Sequence, residues 1–142
     1  MYLAPLRVAL VSLFFGGMVG VGIPSALAAC ATNPSSGVYY YNTHTCDTLI
    51  YSADGYTAPD SFGANNNKIG SVLESKAVGG SWRAYLYGGI NHTGLLVGLS
   101  NASTTQGKSW DLSTLQGVDN ETDSICQNRV TGPYSAADCL NN

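Results

Sequence analysis

An all-β sandwich or barrel is the fold class this sequence predicts, on three observations. Helical periodicity is weak along the whole chain. Short runs rich in Tyr, Val, Ile, Leu and Trp recur between clusters of Gly, Asn, Asp and Ser. In the stretch from Ser81 to Tyr87, Trp82, Ala84 and Leu86 share one face while Arg83, Tyr85 and Tyr87 share the other. That period of two belongs to a half-buried strand.

The other strands follow in order. Val38 to Tyr41 is an aromatic run, Thr48 to Tyr51 a second strand and Ser71 to Ser75 a third. After Ser81 to Tyr87 come Gly94 to Leu99, Ser109 to Leu112 and Ser124 to Gln127. Ser113 to Gln116 suits one helical turn, and no longer helix is expected. Many short strands with turn signals between them make a sandwich or barrel.

The first thirty residues stand outside this pattern. Arg7 is the only charge ahead of an apolar run from Val8 to Ile23, and Pro24-Ser25-Ala26-Leu27-Ala28 follows with small residues. We read residues 1–28 as a signal peptide cleaved after Ala28. The run could also cross a bilayer, but its glycines and its A-x-A ending favour export. Residues 29–37 then form a linker, and 38–142 a single domain of an extracellular protein. Leu27-Ala28-Ala29-Cys30 also fits a lipoprotein signal, so anchoring through a lipidated Cys30 is the alternative. Without that lipid no membrane association is expected.

The charge balance narrows the function. All 9 acidic residues lie after the signal, whereas one of the 6 Lys and Arg residues is Arg7 within it. Lys68, Lys76, Arg83, Lys108 and Arg129 are scattered. A nucleic-acid partner, which requires a basic face, is not expected.

Four cysteines in an exported chain imply disulfides. Cys126 with Cys139 and Cys30 with Cys46 is the preferred pairing; a clamp from Cys30 or Cys46 to the C-terminal segment stays open. Lipidation of Cys30 would leave an odd set. No short C-x-x-C spacing suggests a metal-thiolate site.

Two loops look like copies of each other: Asn66-Asn67-Lys68-Ile69-Gly70-Ser71-Val72 and Asp119-Asn120-Glu121-Thr122-Asp123-Ser124-Ile125. Each starts on paired Asn/Asp residues and enters an apolar strand. Side-chain oxygens at such an entrance suit a hard cation, although the same residues also make Asx-turns that bind nothing. Each loop follows an aromatic strand, Tyr39 or Tyr87, by roughly thirty residues, so a whole supersecondary unit is duplicated. Six residues intervene between Tyr87 and Gly94, where a positive φ would fold the hairpin back. The equivalent step from Tyr39 lands on Cys46.

A Tyr-x-x-x-x-x-x-Gly hairpin followed by an Asn/Asp-Asn/Asp-x-x-Ser/Thr-Ser loop resembles the Greek-key motif of the βγ-crystallin superfamily. The resemblance covers essentially all of the mature chain. It implies two Greek-key motifs forming one β-sandwich, and a secreted, non-enzymatic protein with calcium as its cofactor. Calcium-binding members take oxygens from loops of both motifs, including a side chain at the fifth loop position. Here Gly70 holds that position in the first loop and Asp123 in the second. One competent site is expected from Asp119, Asn120, Glu121, Asp123 and Ser124, and a weakened one near Asn66, Asn67 and Ser71.

Other features are read as structure. His44 and His92 are taken as surface-turn residues, since no nucleophile or carboxylate partner stands at a useful spacing. Tyr39-Tyr40-Tyr41 is explained by a two-faced strand. The N-x-S/T triplets at Asn91, Asn101 and Asn120 are expected by chance in this composition. The leading function is a calcium-binding, structural or stress-related secreted protein, acting as a monomer. The alternatives are a metalloproteinase inhibitor that presents Ser100 to Lys108 to an extracellular protease, and a killer-toxin-like protein with a cell-surface target.

Overall fold

Seven strands in two antiparallel sheets carry the chain, as seen in a computed structural model that describes residues 35–142. The expected signal peptide at 1–28, most of the expected linker at 29–37 and the expected roles of Cys30 lie outside the described residues. The last linker residue, Gly37, is already built in. Its N–H donates to Ser75 Oγ at 2.9 Å, and its carbonyl accepts from Ser75 N at 2.9 Å.

The strands are β1 (Val38–Tyr41), β2 (Leu49–Ala53), β3 (Ser71–Glu74), β4 (Ser81–Gly89), β5 (Thr93–Asn101), β6 (Lys108–Asp111) and β7 (Ser124–Val130). All seven expected strands are present, with no end moved by more than three residues. One sheet runs β2-β1-β3-β6 and the other β5-β4-β7. The first sheet thus borrows β6 from the second half of the chain. The second sheet receives a shorter return: Thr57 bridges Gln127 on the outer side of β7. The bridge does not extend into a strand because Pro59 lacks an N–H and restricts Ala58 before it. Two halves that trade β6 for the Thr57 bridge make a Greek-key sandwich, and the barrel alternative falls away.

Between the sheets lie Val38, Tyr40, Ile69, Val72, Trp82, Ala84, Leu86, Leu99, Leu112 and Ile125, all buried. Trp82, Ala84 and Leu86 take the inward face that the alternation predicted. Polar bridges cross the same interior. The Tyr40 hydroxyl donates to Gln127 Oε1 at 2.8 Å, and Gln127 Nε2 donates to the Ala53 carbonyl at 2.9 Å. Glu74 is also fully buried on β3.

The C-terminus departs from the sequence expectation. A short helix, α1 (Ala136–Leu140), follows β7, and a capping box between Ser135 and Asp138 starts it. A five-residue helix shows no usable periodicity, so nothing but the S-A-A-D spacing announced it. The expected Cys126–Cys139 disulfide ties α1 to the outer face of β7. It closes a second cluster of Tyr85, Tyr87, Cys126 and Cys139. Cys46 is disulfide-bonded as well. The single helical turn falls at Leu112–Thr114, and a second at Gly63–Asn65.

Candidate functional site

The duplicated loops meet in space, and their backbones are copies. The second position of each is left-handed, with φ of 55° at Asn67 and 53° at Asn120, a conformation Asn tolerates better than most residues. From there the loops exchange mirrored bonds. Asn67 N donates to the Thr122 carbonyl at 3.0 Å, and Asn120 N donates to the Ile69 carbonyl at 3.3 Å.

The fifth and sixth positions repeat this symmetry. Gly70 N donates to the Tyr41 carbonyl at 2.9 Å, and Asp123 N to the Tyr87 carbonyl at 2.8 Å. Ser71 Oγ donates to the Thr43 carbonyl at 2.6 Å, as Ser124 Oγ does to the Gly89 carbonyl at 2.7 Å. Both serines are therefore hairpin anchors.

These bonds correct one register. The counterpart of Tyr87 is Tyr41, two residues beyond the expected Tyr39, and both follow a bulge in their strand pair. Three consecutive tyrosines carry no signal for which of them stands at the bulge. Counting from Tyr41, Thr48 matches Gly94, which has the expected positive φ of 64°. Cys46 and His92 then fall on equivalent hairpin positions, both left-handed at φ of 58° and 57°.

The side chains break the symmetry. At the first loop's fifth position, a Cβ on Gly70 would lie 2.8 Å from His44 Cδ2 and 3.0 Å from the Asn42 carbonyl oxygen. The imidazole occupies the space of the missing side chain and reaches across to the other loop, where His44 Nε2 meets Asp119 Oδ1 at 2.7 Å. His92, at a different position of its hairpin, makes links of its own, with Nδ1 3.4 Å from Asp60 Oδ1 and Nε2 donating to the Ile125 carbonyl at 2.9 Å. Its ring stands edge-on to Tyr87 at 5.3 Å. Neither histidine is a plain surface-turn residue: each joins a hairpin to a distant segment. Their partners are 75 and 32 positions away in sequence, which is why spacing did not reveal them.

Gly70→Ser, which would restore a side-chain oxygen, is expected to cost about 1–3 kcal/mol by overpacking against His44. Urea unfolding would measure the loss. An unchanged midpoint would mean that the ring moves aside freely.

The expected ligands fare differently by loop. Asn66 Oδ1 already accepts from Phe62 N at 2.8 Å and Ser61 Oγ at 3.1 Å. With Gly70 bare and the Ser71 hydroxyl committed, the first loop offers few free donors. In the second loop Glu121 is exposed, while Asp119 and Asp123 are half-buried. With its amide turned so that the nitrogen faces these acceptors, Asn67 donates to Asp123 Oδ1 at 3.1 Å and to the Glu121 carbonyl at 3.2 Å. The buried Thr122 hydroxyl has no partner. Among the described residues, no three His, Cys, Asp or Glu side chains converge on a point. A hard cation here would use at most two carboxylates, completed by carbonyl, amide and water oxygens, which suits calcium.

No family model and no curated protein sequence matches the chain. Among solved structures, the chain is similar to one described as "Evolution of the eye lens beta-gamma-crystallin domain fold". The TM-score is 0.48 at 17% identity, over 68% of this chain and 90% of that one. The fold resembles a βγ-crystallin domain. A second similar structure is the N-terminal domain of Protein S, at TM-score 0.41 and 18% identity, over 68% of this chain and all of that one. The βγ-crystallin-like plan of the chain rests on its own strand exchange and its paired loops.

The remaining sequence features also find places. Asn101 is buried, and its Nδ2 donates to the Ser75 carbonyl at 2.9 Å, so that triplet is no glycan acceptor in the folded chain. Tyr40 points inward while Tyr39 and Tyr41 are half-buried on the outer side, as a two-faced strand requires.

Proposed function

We propose that this chain is a secreted, non-enzymatic βγ-crystallin-like protein that binds calcium at the Asp119–Ser124 loop and serves a structural role. The reading is supported chiefly by the mirrored backbone bonds of the two loops, which present the second loop's acidic residues on a rigid frame. Asp123 supplies the fifth-position oxygen, and one further carboxylate, from Asp119 or Glu121, joins it with oxygens of Asn120, the backbone and water. Ser124 supports the site by holding the Gly89 carbonyl. Asn66, Asn67 and Ser71 contribute a much weaker site, because His44 fills the place of its fifth ligand.

A single loop of this kind suits an extracellular affinity of about 10⁻⁴ to 10⁻³ M. A ligand of the native state at a hundredfold excess over its dissociation constant stabilises by about 2.7 kcal/mol. Calcium at 10 mM is therefore expected to raise the unfolding midpoint, and Asp123→Asn to remove most of the rise. An identical midpoint with calcium and with chelator would end this assignment.

Metalloproteinase inhibition is the second reading, and one observation favours it. Ala102 and residues 104–106 are exposed yet braced, because Asn101 Oδ1 accepts from Ser103 N at 2.9 Å and Nδ2 donates to the Gln106 carbonyl at 3.1 Å. A protease inhibition assay separates the two readings.

A further inference from the structure

A cleft of about 320 Å³ lies on the outer face of the β5-β4-β7 sheet and shares no residue with the paired loops. Its lining includes Arg83, Tyr85, Gly98, Ser100 and Tyr134. The register explains the grouping: Arg83 stands opposite Ser100 on β5 and Asn128 on β7, and Tyr85 stands opposite Gly98 and Cys126.

The aromatic walls are held firmly. The Tyr85 hydroxyl donates to the Tyr134 carbonyl at 2.6 Å, and Asn128 Nδ2 donates to the Tyr134 hydroxyl at 3.2 Å. Gly98 forms the floor, where a Cβ would come within 3.1 Å of Tyr85 Cε1. The Cys126–Cys139 bond and the α1 capping box pin the segment that carries Tyr134. The cleft is built before any ligand arrives.

Its polar centre is uncommitted. Arg83 is half-buried, yet its guanidinium has no hydrogen-bond or carboxylate partner among the described residues. The Ser100 hydroxyl has no hydrogen-bond partner either; the side chain of Lys108 reaches only its carbonyl. Asp138 is the carboxylate close enough to influence Tyr85, but its Oδ2 accepts from Ser135 N and Oγ, both at 2.7 Å.

We propose that this cleft binds a carboxylate-bearing sugar, such as a uronate unit of an acidic polysaccharide. The guanidinium fork matches a carboxylate in two parallel hydrogen bonds. Tyrosine rings offer apolar faces to a sugar ring and polar tips to its hydroxyls. One cation on a chain of net charge −3 suits a single carboxylate better than a polyphosphate.

The test is isothermal titration of the full chain with trigalacturonic acid, beside its neutral methyl ester. Millimolar or tighter binding of the acid is expected, with at least a tenfold loss for the ester and for Arg83→Met. Gly98→Leu, which fills the floor without touching the charge, should also abolish binding. Unfolding midpoints of both variants show whether they fold, and Arg83→Lys, which keeps the charge without the fork, should bind with intermediate affinity. The proposal is overturned if the wild type does not bind the acid, or if the ester or Arg83→Met binds as well as the acid does to the wild type. Tighter capture of an acidic peptide than of the uronate would overturn the sugar assignment.

Discussion

On moving from pH 5 to pH 8 the folded chain is expected to lose roughly 3 to 4 kcal/mol of stability through Glu74. The residue sits on the inward face of β3, opposite Val38 on β1 and Lys108 on β6. It is fully buried, and neither carboxyl oxygen has a hydrogen-bond partner. Burial pushes its pKa from 4.5 up to about 8, and the nearby charges of Lys108 and Arg83 oppose this only in part. Lys108 cannot compensate fully, because its Nζ lies 4.7 Å over the Trp110 ring and points to the Ser100 carbonyl.

Between pH 4.5 and about 8 the folded carboxyl keeps a proton that the unfolded chain has released. The folded state binds more protons in that window, so stability falls as pH rises through it and levels off above. Typical domains have about 5–15 kcal/mol in total, so the loss should be plain in urea unfolding. Glu74→Gln should be close to wild type at pH 5 and clearly more stable at pH 8. Parallel pH profiles for the two proteins would show that the carboxyl ionises without cost, and the burial argument would fail.

Replacing both Cys126 and Cys139 by serine is expected to cost about 3 kcal/mol, as the loss of a loop of this length implies. For a domain of this size the midpoint should drop by more than about 10 °C. The damage should start at α1, whose only buried residue is Cys139. Its release uncovers Tyr85 and Tyr87, so hydrogen exchange should quicken in β4 and β7 before the rest of the sandwich. A paired-serine variant melting with the wild type would mean that the helix stays docked by packing alone. The serine pair is preferable to a reductant, which would also attack the bond at Cys46.

The two effects differ in how visible they were beforehand. Cys126 and Cys139 stand close in a turn-rich segment, so their pairing was already the preferred one of three on spacing alone. Glu74 gave no sign. In Ser71-Val72-Leu73-Glu74 it reads as the polar end of a strand, and only the pairing of β3 between β1 and β6 turns it inward. The same contrast runs through the paired loops. Their duplication was visible as letters, and their mirrored bonds agree with it. That His44 would occupy the space at Gly70 and reach Asp119 could not be read from either loop.

By itself, then, the sequence determined what is encoded over a few residues. It set the seven strands, the inward face of β4, the left-handed turn at Gly94 and the two Asn/Asp loops. These follow from alternation and turn chemistry, which act between neighbours in the chain. The tertiary structure decided the register of Tyr41, the burial of Glu74, the partners of His44 and His92, and the free guanidinium of Arg83 beside Tyr85 and Tyr134. Each of these depends on segments far apart in sequence being brought together. Whether a polar group is paired, buried or left open is a property of that meeting, and no local pattern carries it.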